Sequence, residues 1–330
     1  MTSSFNASSE RRAGFPDYPF HGHELTVEGF RLHYLDEGPP DAPTVIMLHG
    51  NPTWSFYYRH LVLALRDRFR VIVPDHIGMG LSEKPAARRY PYTLARRVED
   101  LTSLIDHLAP RGDLTLVLHD WGGMIGAAYA VRHAERIGKL VILNTAAFRL
   151  PVATRVPWQL RVVRTPVVGA FLVRGGNAFC RGAARDCTVR PLAPEVRDAY
   201  LAPYNNWHNR VAVLRFVEDI PLGPAHPSYS TVSETEARLP TLSRVPMFIG
   251  WGMRDFVFDA AYLDQWRRRF PQAELHRYDD AGHYVLEDAR DELIPAIAGF
   301  LDSARTTGDA PGEEVGHPRA GKVSSSTRQP

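Results

Sequence analysis

The chain lacks several features that define specialised protein classes. It has two cysteines among 330 residues, Cys180 and Cys187, too few for a disulfide framework or a four-ligand zinc site. No run of about 18 apolar residues is present to span a bilayer, and the opening residues have no apolar signal-peptide segment. These absences favour a cytoplasmic protein whose two cysteines are reduced, without a transmembrane segment.

The chain also has almost no net excess of positive or negative charge. The formal net charge is only +2, and no block of like charge is long enough to indicate a nucleic-acid-binding arm or a patch for anionic membranes. The histidines do not cluster in H-x-x-x-H spacing with a carboxylate, and the paired glycines build no G-x-G-x-x-G turn after a strand. We therefore expect no metal, no nucleotide cofactor and no nucleic-acid partner.

What the chain does have is the composition of a folded globular protein, 44% hydrophobic and 23% charged. Two strand-like segments separated by Gly29 predict an opening antiparallel hairpin. Short, continuously apolar runs then alternate with helical stretches, which is typical of an α/β fold with a mostly parallel, doubly wound sheet. The predicted strands are 24–28, 30–35, 44–48, 70–73, 114–118, 140–143 and 245–249, and the predicted helices are 56–68, 93–108, 122–132, 260–269 and 288–301.

The alternation fails from residue 150 to about 235, a segment rich in arginine, proline and aromatic residues. Because the sheet pattern resumes afterwards, we interpret 150–235 as a helical cap inserted into a core made of 21–149 and 236–302. Residues 1–20 are expected to be flexible, and 303–330 to be disordered because large apolar residues are almost absent there. Five cap aromatics are candidates either for lining a substrate tunnel or for packing the cap on the core: Trp158, Phe171, Phe179, Trp207 and Phe216.

A buried strand runs through a tight turn into a glycine-rich helix in LVLHDWGGMIG, residues 116–126. This is the context of a nucleophile elbow, in which the turn lifts one side chain above the carboxyl end of the sheet. Asp120 stands where the common G-x-S-x-G form has serine. A carboxylate is already an anion at neutral pH, so it attacks carbon without a base and leaves a covalent ester. The alternative is that Asp120 only caps the helix, a frequent role of aspartate.

His283 and Asp255 are the predicted partners of Asp120. His283 stands in DDAGHY, after the last strand and before the final helix, where elbow enzymes place their histidine. It would activate water against the ester. Asp255 follows the strand that ends in IGWG and would orient the imidazole. Asp279 and Asp280 are less favoured as the orienting acid because they lie so near the histidine in sequence.

Donors for an anion are predicted beside the nucleophile. The loop HGNP, residues 49–52, ends another core strand and in elbow enzymes supplies one backbone N–H group, while the residue after the nucleophile, Trp121, supplies the other. The side-chain N–H groups of Asn51 and Trp121 are candidates to converge on an anionic leaving group. The alternative for Trp121 is simple packing beneath the cap.

Several segments resemble known enzymes. Residues 49–59 (HGNPTWSFYYR), 74–85 (PDHIGMGLSEKP) and 119–126 (HDWGGMIG) resemble the haloalkane dehalogenases of the α/β-hydrolase superfamily. Among these relatives, the chain is most similar to the β-lactone decarboxylases of bacterial long-chain olefin biosynthesis. That second likeness rests on residues 144–151 (NTAAFRLP), 202–210 (APYNNWHNR), 215–222 (RFVEDIPL) and 279–288 (DDAGHYVLED). The resemblance covers about residues 34–301.

The resemblance implies a role for each candidate residue. It makes Asp120 the nucleophile, His283 the base and Asp255 the orienting acid. Asn51 and Trp121 match the pair that holds the halide in dehalogenases. One dehalogenase group takes its acid from the end of the preceding core strand, where this chain has Asn144 instead, so Asp255 is favoured.

The resemblance also implies a substrate. A β-lactone bearing two long alkyl chains would be converted to a cis-alkene and CO2 without a cofactor, because ring strain supplies driving force. Other olefin-biosynthesis enzymes are possible partners in an assembly. Hydrolytic haloalkane dehalogenation is the main alternative, since the same aspartate, histidine and anion donors serve it.

Two further alternatives remain. An epoxide hydrolase would need two cap tyrosines above the nucleophile, and Tyr200, Tyr204 and Tyr229 are the candidates. A non-catalytic ligand binder on the same scaffold would have lost part of the triad, whereas all three members are present here.

Overall fold

A computed structural model describes residues 14–151, 158–165 and 167–303 of the chain. Eight strands in these ranges form one sheet in the order β1-β2-β4-β3-β5-β6-β7-β8. The strands are β1 (Gly22–Val27), β2 (Phe30–Glu37), β3 (Thr44–Leu48), β4 (Arg70–Pro74), β5 (Leu114–Asp120), β6 (Ile137–Thr145), β7 (Met247–Gly252) and β8 (Glu274–Tyr278). β1 and β2 form an antiparallel hairpin, β2 joins β4 antiparallel, and every other neighbouring pair is parallel.

The helices cover the sheet and fill the long connection between β6 and β7. They are α1 (Arg59–Leu65), α2 (Leu94–Leu108), α3 (Trp121–Ala130), α4 (Trp158–Val163), α5 (Val168–Ala170), α6 (Ala178–Asp186), α7 (Pro194–Leu201), α8 (Val211–Glu218), α9 (Tyr229–Arg238), α10 (Ala260–Arg269), α11 (Val285–Asp288) and α12 (Arg290–Asp302). A π-helical turn, Phe171–Gly175, follows α5. In the described ranges, no helix combines the length and the apolar character needed to cross a membrane.

The expected α/β class and mostly parallel sheet are confirmed. β3, β5 and β6 are buried along almost their whole length, which explains why their sequences are continuously apolar and not alternating. Polar side chains mark where helices begin: the Thr93 hydroxyl accepts from the Arg96 N–H at the start of α2, and Asp259 accepts from the Ala261 N–H at the start of α10. Because the parallel strands point the same way, their carboxyl ends meet at one edge.

Helices α4–α9 are called the cap below. Their presence between β6 and β7 agrees with an insertion, but the boundary expected after residue 235 falls inside α9, which continues to Arg238. The predicted flexible N-terminus, residues 1–20, extends too far along the chain. Tyr18 and Phe20 are both only 2% exposed, and the Tyr18 and Ser55 hydroxyls are hydrogen-bonded to each other. Residues 1–13 and 304–330, which include nearly all of the expected disordered tail, lie outside the described residues.

Candidate active site

Asp120 ends β5 at the turn into α3. Its backbone has φ 50° and ψ −127°, a conformation that residues other than glycine rarely adopt. Its carboxylate makes no capping hydrogen bond to the helix. A Cβ at Gly50 would lie 1.9 Å from the Asp120 Oδ1 atom, and one at Gly122 would lie 1.9 Å from the Leu48 carbonyl oxygen. The turn is therefore a strained elbow that needs glycine around it, and the simple capping role is wrong.

The two carboxylate oxygens of Asp120 have different environments. Oδ1 accepts the backbone N–H of Asn51 at 2.6 Å, and Oδ2 lies 3.6 Å from the His283 Nε2 atom. The Thr145 hydroxyl donates to the Asp120 backbone carbonyl at 2.5 Å and so fixes the turn from β6. Burial raises the pKa of Asp120, but the nearby His283 and the Asn51 N–H outweigh it and hold the pKa below its usual value. Asp120 is thus an oriented anion at neutral pH.

His283 lies between two carboxylates. Its Nδ1–H donates to the Asp255 Oδ2 atom at 2.8 Å, while Nε2 faces Asp120. Burial disfavours the imidazolium, but the charges of Asp255 and Asp120 raise the pKa of His283 to about 10. A pKa this high means that His283 is protonated at neutral pH while both carboxylates are charged.

Asp255 has four donors on its carboxylate. Oδ2 accepts from His283 and from the Asn144 side-chain amide at 2.9 Å, and Oδ1 accepts the backbone N–H groups of Val257 and Phe258 at 2.7 and 3.1 Å. The alternative acids point away, because the Asp279 and Asp280 side chains are 82% and 78% exposed. The structure thus pairs His283 with Asp255.

Asn144 is a site residue that the sequence reasoning treated only as a missing acid. Its amide clamps Gly252, accepting the Gly252 N–H at 2.8 Å and donating to the Gly252 carbonyl at 3.0 Å, besides donating to Asp255. It has φ 38°, which asparagine tolerates better than most residues. A side-chain amide at the end of β6, the strand beside β5 and Asp120, was the available signal.

His119 was also missed as a supporting residue. It is fully buried, stacks on Tyr57 with ring centroids 4.4 Å apart, and its Nε2–H donates to the His283 backbone carbonyl at 2.9 Å. Burial, with the neighbouring charge of His283, lowers the pKa of His119 to about 3. His119 is therefore a neutral support for the His283 loop.

The two predicted anion donors lie at the base of a cavity with Asp120. The Asn51 side-chain amide donates one hydrogen to the Val213 carbonyl at 3.1 Å and retains a second one. Trp121 packs against Phe216, with ring centroids 5.2 Å apart, and lines the cavity. The Asn51 backbone N–H, which belongs to the loop predicted to supply a backbone donor, donates to the Asp120 carboxylate in this structure.

The cavity has a volume of about 420 Å³ and lies between the core and the cap. Its polar floor contains Asn51, Asp120, Trp121 and His283. Its walls are mostly apolar and include Met124, Leu150, Leu160, Val163, Val217, Ile220 and Phe258. Such a cavity suits an apolar ligand whose reactive group reaches the floor.

Only part of the cap aromatics line this cavity. Trp158 and Phe179 do so, whereas Phe216 is fully buried against Trp121. Phe171 and Trp207 lie on the cap surface in contact with each other, their ring centroids 6.0 Å apart. The tunnel hypothesis therefore holds for two of the five residues.

Burial and position describe the remaining candidates, which are the two cysteines, a metal site and three tyrosines. Cys180 and Cys187 are both buried and unpaired. Within the described residues, no group of three or more His, Cys, Asp or Glu side chains is arranged to hold a metal ion. In the same ranges, Tyr200, Tyr204 and Tyr229 do not line the cavity above Asp120.

This architecture and site agree with comparisons to known proteins. A family model described as the alpha/beta hydrolase fold matches residues 43–289. The chain belongs to the α/β-hydrolase fold family. A solved structure of a haloalkane dehalogenase from Bradyrhizobium elkani superposes with a TM-score of 0.75 at 26% identity, covering 86% of this chain and 99% of that one.

Two relatives named cis-3-alkyl-4-alkyloxetan-2-one decarboxylase have much higher identity. The protein from Shewanella oneidensis is 50% identical over 289 residues, covering 87% of this chain and 90% of the relative. The one from Xanthomonas campestris is 49% identical over 294 residues, covering 87% and 98%. A haloalkane dehalogenase from Mycolicibacterium paratuberculosis is 34% identical over 299 residues, covering 86% and 93%. The resemblance seen in the sequence motifs is confirmed.

Proposed function

We propose that this protein is a cis-3-alkyl-4-alkyloxetan-2-one decarboxylase, which converts a β-lactone with two alkyl chains to a cis-alkene and CO2. The observation that carries the proposal is the near 50% identity, over almost their full length, to two relatives of that name. The site supports it, because an oriented carboxylate lies at the floor of an apolar cavity.

Asp120 is the nucleophile of the proposed reaction. Its target is the saturated, alkyl-bearing ring carbon that is bonded to the ring oxygen, and not the carbonyl carbon. Attack there forms an ester bond to Asp120 and breaks the ring C–O bond, which frees the substrate carboxylate. Attack at the carbonyl would instead leave an acyl group on the enzyme, from which CO2 cannot leave directly. Oδ2 is the attacking atom in this proposal, since Oδ1 accepts the Asn51 N–H.

CO2 leaves in the second step. The bond between the carboxylate carbon and its neighbouring ring carbon breaks, and its electron pair forms the alkene as the Asp120 carboxylate departs. Inversion during attack, followed by departure of CO2 and Asp120 from opposite faces, converts a cis-lactone to a cis-alkene. Neither water, an oxidant nor a net proton transfer is required, so the apolar walls are compatible with the chemistry.

The remaining site residues stabilise charge in this scheme. The second Asn51 amide hydrogen and the Trp121 indole N–H are the proposed donors to the freed substrate carboxylate, since both residues line the cavity. His283, positioned by Asp255, lies 3.6 Å from the Asp120 oxygen and stabilises the aspartate as it departs. In this role the protonated histidine donates its N–H to the departing carboxylate. The water activation predicted from the sequence would be needed only if the Asp120 ester were hydrolysed.

Haloalkane dehalogenation is the second candidate, because the same floor can displace a halide and then hydrolyse the ester. The observation in its favour is the pair Asn51 and Trp121 beside Asp120, together with the structural likeness to a dehalogenase. Epoxide hydrolysis loses support, since the three candidate tyrosines lie outside the cavity lining described above. A non-catalytic role is disfavoured by the strained elbow at Asp120, because backbone strain of this kind clusters at functional sites.

Competing substrates test the proposal. Purified protein is incubated with a cis-3,4-dialkyl β-lactone and, separately, with 1-bromobutane, while alkene and bromide are quantified. We expect alkene from the lactone and little bromide. Fast bromide release without alkene would contradict the proposal. The Asp120→Asn variant, which keeps the shape of the side chain, is the matched control and should form neither product.

A cytoplasmic location and association with other olefin-biosynthesis enzymes stay predictions. Cell fractionation and co-purification with the lactone-forming enzyme of the same cells test them. The activity proposal does not depend on either result.

A further inference from the structure

The cap carries an exposed apolar surface next to the cavity. Six residues, called the cap patch below, are between 38% and 70% exposed: Trp158, Val167, Val168, Phe171, Leu172 and Trp207. The chain has six tryptophans, and the four outside the patch are at most 6% exposed. Isolated exposed apolar residues are normal, but a cluster of large ones marks an interaction site.

The cap patch is continuous with the catalytic cavity. Trp158 and Leu172 are exposed and also line the cavity, so they form part of its rim. Phe171, beside Leu172, contacts Trp207 with ring centroids 6.0 Å apart. The cap patch therefore meets the cavity at these two rim residues.

The same part of the cap is strongly basic. Residues 158–190 contain six arginines, no lysine and one acidic residue, although the whole chain has a net charge of only +2. The acidic residue, Asp186, is paired with Arg185. Arg161 and Arg181 are exposed and form no ion pair with the described residues, and the Arg174 guanidinium lies 4.5 Å from the Trp207 ring. The net charge of the whole chain therefore does not reflect the local excess of arginine in the cap.

We propose that the cap patch binds the surface of an anionic lipid bilayer and receives apolar substrate from it. Exposed tryptophan, phenylalanine and valine beside arginine is the composition of interfacial membrane-binding segments. A second copy of this chain fits less well, because two such faces would bring like charges together.

The properties of the substrate support this partner. Each methylene group favours an apolar phase over water by about fourfold, so a lactone with two long chains resides in the bilayer and not in solution. This part of the reasoning rests on the proposed function, whereas the exposed residues and the arginines do not.

Vesicle binding by the full chain tests the proposal without any lactone. Tryptophan fluorescence is followed while vesicles of phosphatidylcholine and phosphatidylglycerol, or of phosphatidylcholine alone, are added. We expect a blue shift and co-sedimentation with the anionic vesicles, weakened about tenfold or more by neutral lipid or high salt. Because Trp158 and Trp207 are the exposed tryptophans, quenching by brominated lipid should arise from the patch.

Paired variants locate the surface. Phe171→Ser with Val168→Ser, neither of which lines the cavity, should lower vesicle binding about tenfold and leave turnover of a short, water-soluble β-lactone unchanged. Arg161→Glu should weaken binding to anionic vesicles, whereas Arg132→Glu, an exposed arginine on the core, should not. Thermal melting of each variant checks that it is folded.

Three results would overturn the proposal. The first is no association with anionic vesicles, and the second is equal binding by the Phe171→Ser, Val168→Ser variant. The third is a dimer that this variant dissociates, with no lipid binding, which would assign the patch to a second copy. None of these results bears on alkene formation, and loss of alkene formation would leave vesicle binding unaffected.

Discussion

The floor and the cap side of the cavity are built differently. The floor residues Asn51, Asp120, Trp121 and His283, together with Asp255 behind His283, are between 3% and 8% exposed, and they follow or end strands of the sheet. The cap contributes mainly apolar side chains, several of them half exposed, from short helices. Under the proposed function, the core would carry out the chemistry, and the cap would select the molecule that reaches it.

The largest effect is expected at the nucleophile. Asp120→Asn retains the shape of the side chain but removes the attacking anion, so the rate should fall by at least about 10⁴-fold. Turnover of the cis-lactone, followed by gas chromatography of the alkene, measures it. Retention of more than a small fraction of activity, with contamination excluded by a fresh preparation, would place the chemistry elsewhere than the floor.

Asp255→Asn comes next. The change removes the carboxylate that orients His283 and contributes most to keeping it protonated, so activity should fall about 10²–10⁴-fold and the histidine pKa should move down from about 10. The pH profile of turnover and the imidazole proton signals in NMR report the two effects separately. Asp280→Asn, on the exposed side of the same loop region, is the control and should be neutral. Equal loss in both variants would argue against Asp255 as the partner.

Asn144→Asp tests the support behind the triad. The substitution keeps the shape and tolerates the positive φ, but replaces the donor to Asp255 with a like charge. We expect a loss of about 10–100-fold in kcat, with smaller changes in KM, since Asn144 does not line the cavity. Steady-state kinetics on the lactone check this. A change confined to KM would show that Asn144 acts on substrate and not through Asp255.

On the cap side, the effect should appear in KM. Phe179→Ala removes an aromatic wall of the cavity and should raise KM for a long-chain lactone about tenfold, with kcat nearly unchanged. Phe171→Ala, a surface aromatic of the same cap, is the matched control and should leave kinetics in detergent-free solution with a short-chain lactone unaltered. If Phe179→Ala lowered kcat strongly instead, the division between floor and cap would fail.

The smallest effect concerns stability against pH. The pKa of His283 is about 10 in the folded protein and 6.5 as the ordinary value, so the folded state binds the extra proton between these limits. The stabilisation is complete below pH 6.5 and is lost as pH rises through 10. The melting temperature should therefore fall by a few degrees over this window, and less so in His283→Gln. Parallel curves for the two proteins would contradict the assignment.

Much of the fold was predictable from local patterns. The predicted strand 44–48 and helix 260–269 coincide with β3 and α10, because buried runs and capping residues are local signals. The cap boundary and the packing of residues 14–20 were not predictable, since both depend on contacts with distant parts of the chain. Tyr18, for example, is held by Ser55. Local sequence patterns do not predict a contact between residues so far apart in the chain.

The site was predictable to the level of its motifs. Asp120, His283, Asp255, Asn51 and Trp121 each follow a strand or lie beside a glycine-rich turn, and the structure brings all five to one place. Their catalytic roles stay predictions. The clamp by Asn144 joins residues 108 positions apart in sequence, so only the folded chain shows it. The surface position of Phe171 and Trp207 was equally hidden, because aromatic residues serve both cores and surfaces.

Product analysis of a single substrate tests the central claim most directly. The protein is given a cis-3,4-dialkyl β-lactone, and cis-alkene, CO2 and β-hydroxy acid are quantified in one reaction. The account predicts cis-alkene and CO2 in equal amounts, with no hydroxy acid, because Asp120 is regenerated without water. A β-hydroxy acid as the main product would contradict it, since that product requires hydrolysis of the lactone or of the Asp120 ester.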